Sequence, residues 1–371
     1  IGWLTVQGGR LLLSPLLPSI IGDLGITPFR AGLAFSVLWG LFALCQFPSG
    51  RLSDQLSRKT LLVSGLVLAA GGFAVLATAV SYPLLLFGAA VVGVGAGLYP
   101  TAARALISDH FRAKRGGAFG LHTALGDIGG GAAAGLAVLA LAVATWRSAF
   151  LPVVAVLAVV ALTIHATSRE PYRVEAVDLD LRAIGGRLFA PPRPRRLVAS
   201  YALFAFVWQG TAGFLPTLLQ FDKGFSPAFA STAFAGLFLV GALVKPTAGR
   251  LADRVAYPPV AAGALAVGAV ALLGVLVART RLGVGLAILC YAVGLMAYPP
   301  VMQSYMMDVF PTASMGADFG LARTVYIGIG SLGPSYVGFV AARAGYGLAF
   351  SGLVVCLLVS AGLVFALEVT R

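Results

Sequence analysis

GRLSDQLSRK, Gly50 to Lys59, is a burst of charge set between two long apolar runs. A second stretch, GRLADRVAYP, begins at Gly249 and repeats the Gly, Arg, Leu and Asp at a constant offset of 199 residues. The offset holds farther along, between GLYPTAARALISDHF (Gly97–Phe111) and LMAYPPVMQSYMMDVF (Leu295–Phe310). There Tyr99 pairs with Tyr298, Pro100 with Pro299, Asp109 with Asp308 and Phe111 with Phe310. Four coincidences in each of two separated blocks, at one spacing, mark an internal duplication.

Around these blocks the chain is nearly free of charge. Of its 371 residues 59% are hydrophobic and 11% charged, and mean hydropathy is +0.94. That is too little polar surface for a soluble domain of this length. Apolar runs of about 20 residues, enough to cross roughly 30 Å of hydrocarbon as helix, recur throughout. They are continuous rather than alternating, which excludes a β-barrel. The pattern predicts an all-α membrane protein with twelve transmembrane helices, over 1–21, 30–50, 59–80, 83–107, 116–141, 146–167, 197–220, 227–249, 258–278, 282–306, 317–342 and 346–368. The first span has no polar lead and no cleavage site after it, so it reads as a membrane helix behind a trimmed terminus rather than a signal peptide. Cys45, Cys290 and Cys356 fall inside spans and form no metal or disulfide pattern.

The long polar stretch Ser168–Arg196 divides the chain into an N-terminal six-helix bundle (1–167), a cytoplasmic linker (168–196) and a C-terminal six-helix bundle (197–371). Duplicated bundles place a binding site at their interface near the bilayer midplane. The net charge of +13 follows the same division. Fifteen Lys and Arg lie in the linker and one set of alternate loops, against six in the opposite loops: Arg30, Arg147, Lys223, Arg279, Arg281 and Arg343. By the positive-inside rule the basic loops and both termini are cytoplasmic, and the charge is a topology signal rather than a nucleic-acid footprint. An excess of Arg over Lys, with many Ala and Gly, points to a prokaryote and hence to its inner membrane.

At the repeated polar runs the chain resembles the major facilitator superfamily, over essentially its whole length. The family's signature there reads Gly-x-Leu-(Ala/Ser)-Asp-Arg-x-Gly-Arg-(Arg/Lys). Gly50, Leu52, Ser53, Asp54, Arg58 and Lys59 match it, while Gln55 and Ser57 depart. In the second copy Gly249, Leu251, Ala252, Asp253 and Arg254 match, while Ala256 and Tyr257 depart. The resemblance implies two pseudo-symmetric bundles around a central cavity and rocker-switch alternating access. It also implies no cofactor and no enzymatic activity, in keeping with the absence of a Walker loop, HExxH or Cys/His metal spacing. Each Gly would let helices approach closely. Arg58 with Asp109, and Arg254 with Asp308, are expected as latches of the cytoplasmic gate. The alternative is that these charges set topology only.

Ionisable residues at membrane depth are costly and mark function. Arg10 lies midway along helix 1, Asp127 midway along helix 5, Lys245 inside the end of helix 8 and Arg323 several residues into helix 11. Three cations against one anion suit an anionic solute. Against this stand an Arg10–Asp127 structural pair and snorkelling of Lys245 or Arg323. Asp127 and His122 are the deep groups able to couple transport to protons; exchange for a counter-transported anion needs neither. Tyr298 and Tyr305 share a face of helix 10 and, with Trp208 and Gln209 on helix 7, are expected to shape the pocket.

The chain is thus expected to move a small organic anion, with a resemblance to organic-anion members such as oxalate:formate exchangers. Multidrug or amphiphile efflux, or a lysolipid flippase, is the alternative on the same fold. Against the family's drug-antiporter pattern, helix 5 lacks a Gly-Pro and helix 1 carries Arg10 in place of an acid, which lowers the multidrug reading; in a flippase Arg10 or Arg323 would meet the head group. A transport-fold sensor is the alternative of another class. Expected partners are the anionic solute, protons or a second anion, and the lipid bilayer, with no nucleic acid and a functional monomer.

Overall fold

The structure is a computed structural model that describes residues 1–55, 57–111, 115–173, 186, 189, 191–311 and 315–369. Side chains at 47–55, 109, 115–116, 315–317 and 368–369 lie outside the description. Among the described residues twelve long helices carry the fold: α1 (Gly2–Leu24), α2 (Pro28–Gln55), α3 (Arg58–Ala77), α4 (Tyr82–His110), α5 (Arg115–Val143), α6 (Leu151–Thr167), α7 (Pro192–Thr217), α8 (Pro227–Arg254), α9 (Tyr257–Val277), α10 (Arg281–Val309), α11 (Met315–Gly330) and α12 (Leu332–Val369). No strand occurs among the described residues.

The eleventh and twelfth crossings do not follow the helix bounds. At 38 residues, α12 would run about 57 Å if straight, far beyond a bilayer. Gly345 breaks it with φ 85°, a left-handed value that glycine adopts without steric cost. Beyond the break the chain doubles back, so that the Tyr336 hydroxyl lies against Gly352. Crossing eleven is therefore α11 plus residues 332–344, and crossing twelve is residues 346–369.

Two six-helix bundles result. In the first, α3 packs on α4, α2 on α4 and α1 on α5; in the second, α9 packs on α10, α8 on α10 and α7 on α12. Central helices are the most covered: 78% of the α1 window is buried and 83% of the α7 window, against 28% for α6, which leaves α6 to the lipid. The repeat offset has a physical counterpart at the centre. Ser14 of α1 donates to the carbonyl oxygen of Gly213 of α7 at 3.3 Å, two positions 199 apart, so pseudo-equivalent residues touch on the axis between the bundles.

The seam between bundles is formed by α2 with α11 and α12, α5 with α8, and α1 with α7. It is tightest at the lightly charged face. There Gly32 lies against the Pro334 carbonyl and Gly338 against the Pro28 carbonyl, and Ser335 reaches the Ser36 hydroxyl through its backbone N–H (3.2 Å) and side chain (2.7 Å). Cations of this face are held locally: Arg147 pairs with Asp23 at 2.7 Å and donates to the Ala79 carbonyl, and Lys223 donates to the carbonyls of Leu276 and Ala278. Nothing larger than hydrogen fits at Gly338 without displacing backbone. Gly338→Val is expected to cost this closed seam about 1–3 kcal/mol. A cysteine placed at Ser36 should then react roughly tenfold faster with a membrane-impermeant maleimide.

The repeated polar runs are not loops as the sequence reading placed them: α2 continues to Gln55 and α8 to Arg254, so both close their helices as final turns. Among the described residues, nothing beyond its chain neighbours and its own helix backbone stands within 4 Å of where a Cβ of Gly249 would be, so no close approach by another described element explains that glycine in this conformation. The surroundings of Gly50 and the side chains of Asp54 and Asp109 lie outside the described residues, and with them the Arg58–Asp109 latch. Asp253 accepts from the Tyr257 hydroxyl at 3.3 Å. Arg254 and Asp308 form no ion pair with each other among the described residues. They close α8 and α10 of one bundle, so this pair does not span the seam.

Candidate functional site: a cation-lined cavity between the bundles

Beneath the closed seam a cleft of about 950 Å³, counting the space open to solvent, lies between the bundles toward the basic face. Arg10, Lys245 and Arg323 all line it, as do Asp127, Trp208 and Gln209. Arg10 is eight residues into α1 and Arg323 eight into α11, each about 12 Å from the helix start.

Arg10 is 2% exposed. Its guanidinium carbon sits 4.6 Å from the centre of the Trp39 ring and 4.0 Å from that of Phe42, and Nη2 donates to Gln7. Among the described residues its Nε and Nη1 are buried with no hydrogen-bond partner, and so is Nε of Arg323. The expected alternative for Arg10, a pair with Asp127, does not form. Asp127 is taken by Lys245, whose Nζ lies 2.6 and 2.7 Å from the two carboxylate oxygens, across the seam from α5 to α8. The pair also holds Lys245 away from the membrane interface, against the snorkelling alternative. The lining acid is thereby neutralised, and Arg10 and Arg323 set the remaining sign.

Other expectations fall differently. Tyr298 is fully buried and does not line the cleft: its hydroxyl meets Ser200 at 2.8 Å and its ring stacks on Phe204. It braces the wall from behind, because Tyr201 and Phe204 take the lining positions. Tyr305 is also off the cleft, two residues beyond the lining Gln303, and accepts from Arg193 at 2.8 Å. His122 stacks on the lining Trp3 with ring centres 5.4 Å apart, one layer out. Gln209 donates to the Ile327 carbonyl at 3.1 Å, and its own buried carbonyl oxygen has no partner among the described residues.

Sequence reasoning missed Arg104 and Gln303. Arg104, on α4, is within electrostatic reach of Arg323 and Tyr326 on α11, and Arg323 is within reach of Arg10. The offset of 199 could have found both. It carries Arg10 onto Gln209 and Arg104 onto Gln303, so each of these first-bundle arginines has an amide as its repeat equivalent in the second.

A family model described as the Major Facilitator Superfamily matches residues 1–334. The chain belongs to this superfamily. Among curated relatives, an uncharacterized MFS-type transporter of Mycobacterium tuberculosis (strain H37Rv) is 26% identical over 375 residues, covering 88% of this chain and 52% of that protein. The chain thus spans about half the length of that relative. A probable sulfoacetate transporter, SauU of Cupriavidus necator, is 32% identical over 146 residues, 38% of this chain and 33% of that protein. Among solved structures, a bacterial homolog of the human lysosomal transporter Spinster, inward-facing and occupied, superposes with a TM-score of 0.84 at 19% identity, covering all of this chain and 95% of that one. The nucleoside transporter NupG follows at 0.77 and 16% identity, covering 99% of this chain and 100% of the other. At these identities both share the superfamily fold, and the multi-pass membrane architecture agrees with them.

Proposed function

We propose that the protein is a secondary transporter of a prokaryotic inner membrane that carries a small organic anion by alternating access, with both termini cytoplasmic. The observation that carries this reading is the buried Arg10 guanidinium. It lines the cleft with two N–H-bearing nitrogens that have no acceptor among the described residues, while the lining acid is occupied by Lys245. Buried arginine nitrogens bond carboxylate, sulfonate or phosphate oxygens in preference to any neutral group. The partial likeness to a probable sulfoacetate transporter agrees with an anionic cargo. The closed seam at the lightly charged face and the cleft toward the basic face correspond to the cytoplasm-facing state of the cycle. Arg10, Arg323 and Gln209 are assigned to the solute, and Lys245–Asp127 to the link between bundles.

Amphiphile transport is the second reading, favoured by the indole and phenyl faces of Trp3, Trp39, Trp208 and Phe238 in the cleft. Uptake by proteoliposomes separates the two. A panel of labelled carboxylates and sulfonates, run with and without a pH gradient, should show accumulation of anions, and a gradient effect would identify proton coupling. Uptake of neutral or cationic solutes alone would overturn the anion reading.

A further inference from the structure

A groove of about 810 Å³, counting its open side, runs between α3 and α6 of the first bundle, away from the cleft. Val63, Val67 and Ala70 form one wall and Ala158 and Ala161 the other, with His165 at the end toward the basic face. The small alanines leave the space between the helices unfilled, and Val67 at the rim is 55% exposed, so the groove opens to lipid. Val63 lies five residues into α3 and Ala70 twelve, so the groove spans roughly 7–18 Å from the helix start. That is the depth of the acyl chains in one leaflet of a hydrocarbon core about 30 Å thick.

The mouth has the opposite character. His165 Nδ1 lies 2.6 Å from the Tyr172 hydroxyl, and the centre of the Tyr172 ring lies 5.0 Å from Lys59 Nζ. One ring therefore separates the end of the groove from an ammonium group. Lys59 Nζ donates to the Ser168 carbonyl at 2.8 Å, which uses one of its three N–H bonds. The Arg173 backbone N–H donates to Thr60 Oγ1 at 3.1 Å, so the first residues of the linker fold back over the start of α3 and bring Arg169 and Arg173 to it. Glu170 is the acid of this cluster and accepts from the Lys59 backbone N–H at 3.3 Å. Three cations against one acid leave a positive mouth on an apolar groove. The second bundle is built without this lysine: the offset of 199 carries Arg58 and Lys59 onto Tyr257 and Pro258.

We infer that the groove holds one anionic phospholipid from the leaflet at the basic face, an acyl chain lying along α3 and α6 and the phosphate among Lys59, Arg169 and Arg173. Phosphate oxygens form charge-assisted bonds with such cations, and basic pockets beside transmembrane helices collect anionic head groups. A zwitterionic lipid fills the groove equally well but brings a cation of its own to the mouth. The site is separate from the cleft and does not depend on what the cleft carries.

Native mass spectrometry of the full chain in mild detergent counts bound lipid directly. Titrated with dioleoyl phosphatidylglycerol or dioleoyl phosphatidylcholine, the wild-type chain should bind its first phosphatidylglycerol about tenfold or more tightly than its first phosphatidylcholine. Lys59→Gln with Arg173→Gln should remove most of that preference. Ala158→Trp, which fills the groove, should weaken the first adduct of both lipids, whereas Val270→Trp on an exposed position of α9 should not. Equal affinity for the two lipids in the wild-type chain overturns the inference, and that comparison needs no variant to fold. A preference that survives the double substitution places the head group elsewhere and overturns it too. So does a preference indifferent to Ala158→Trp, which would mean adsorption at the basic face without a seated chain. None of these readouts measures uptake, so each outcome leaves the anion reading to its own test.

Discussion

Arg10→Gln should lower anion uptake by about 100-fold or more while leaving the amount of protein in the membrane unchanged. The size follows from two charge-assisted hydrogen bonds, each worth about 1.5–3 kcal/mol, that Nε and Nη1 are free to make and a neutral amide makes more weakly. Gln is the informative replacement because the repeat already places an amide at the equivalent position, Gln209. The effect on stability should have the opposite sign. A buried guanidinium facing another cation is held at a cost, so its removal should leave the melting temperature of the substrate-free protein unchanged or raise it. Loss of uptake together with a higher melting temperature is the signature of a residue kept for binding. If uptake survives, Arg10 is a packing residue against Trp39 and Phe42, and the site has been assigned to the wrong side chains.

Lys245→Met should damage the protein in a different way. It leaves the Asp127 carboxylate in the cleft without its partner, and removing one member of a buried pair costs about 3–5 kcal/mol. The lower end of that range applies, because the two side chains retain 23% and 12% exposure. Both melting temperature and uptake should fall, and Asp127→Asn combined with Lys245→Met should recover the first. The exchange Asp127→Lys with Lys245→Asp restores the attraction across α5 and α8 and should recover uptake in part. A pair that only tethers the bundles tolerates that exchange. A Lys245 that binds the solute does not, so failure of the exchange in a stable protein would move Lys245 into the binding set. Unchanged melting and uptake in Lys245→Met would make the pair incidental.

What could be read from the chain follows from which physical signals are local. Helix number and the two-bundle plan rest on apolar run length and the offset of 199, and both survive in the structure. Run length also separates the last two spans, 317–342 and 346–368, and the structure places the break between them at Gly345. Deep cations stand out on apolar helices wherever they occur, which is why Arg10, Lys245 and Arg323 were visible as cavity residues. Arg104 was overlooked because it lies only six residues from the α4 end at His110, where a basic residue reads as an interface anchor. Partner choice was not legible. Asp127 pairs with α8 rather than α1 because of how the bundles meet across the seam, and sequence spacing within one helix says nothing about that. Tyr298 and Tyr305 failed for a related reason: periodicity gives the face they share, and only packing of α10 against α7 decides that this face is turned from the cleft.

The four tryptophans of the chain are unevenly distributed: Trp3, Trp39 and Trp208 border the cleft, and Trp146 sits apart beside Asp23. Indole emission responds to nearby charge, and two of these rings lie within 6 Å of the Arg10 guanidinium carbon. The protein therefore carries its own optical gauge of occupancy. An anion arriving at Arg10 changes the field on Trp3 and Trp39 at once, and Trp146 supplies a steady background, so ligand titrations need no attached dye.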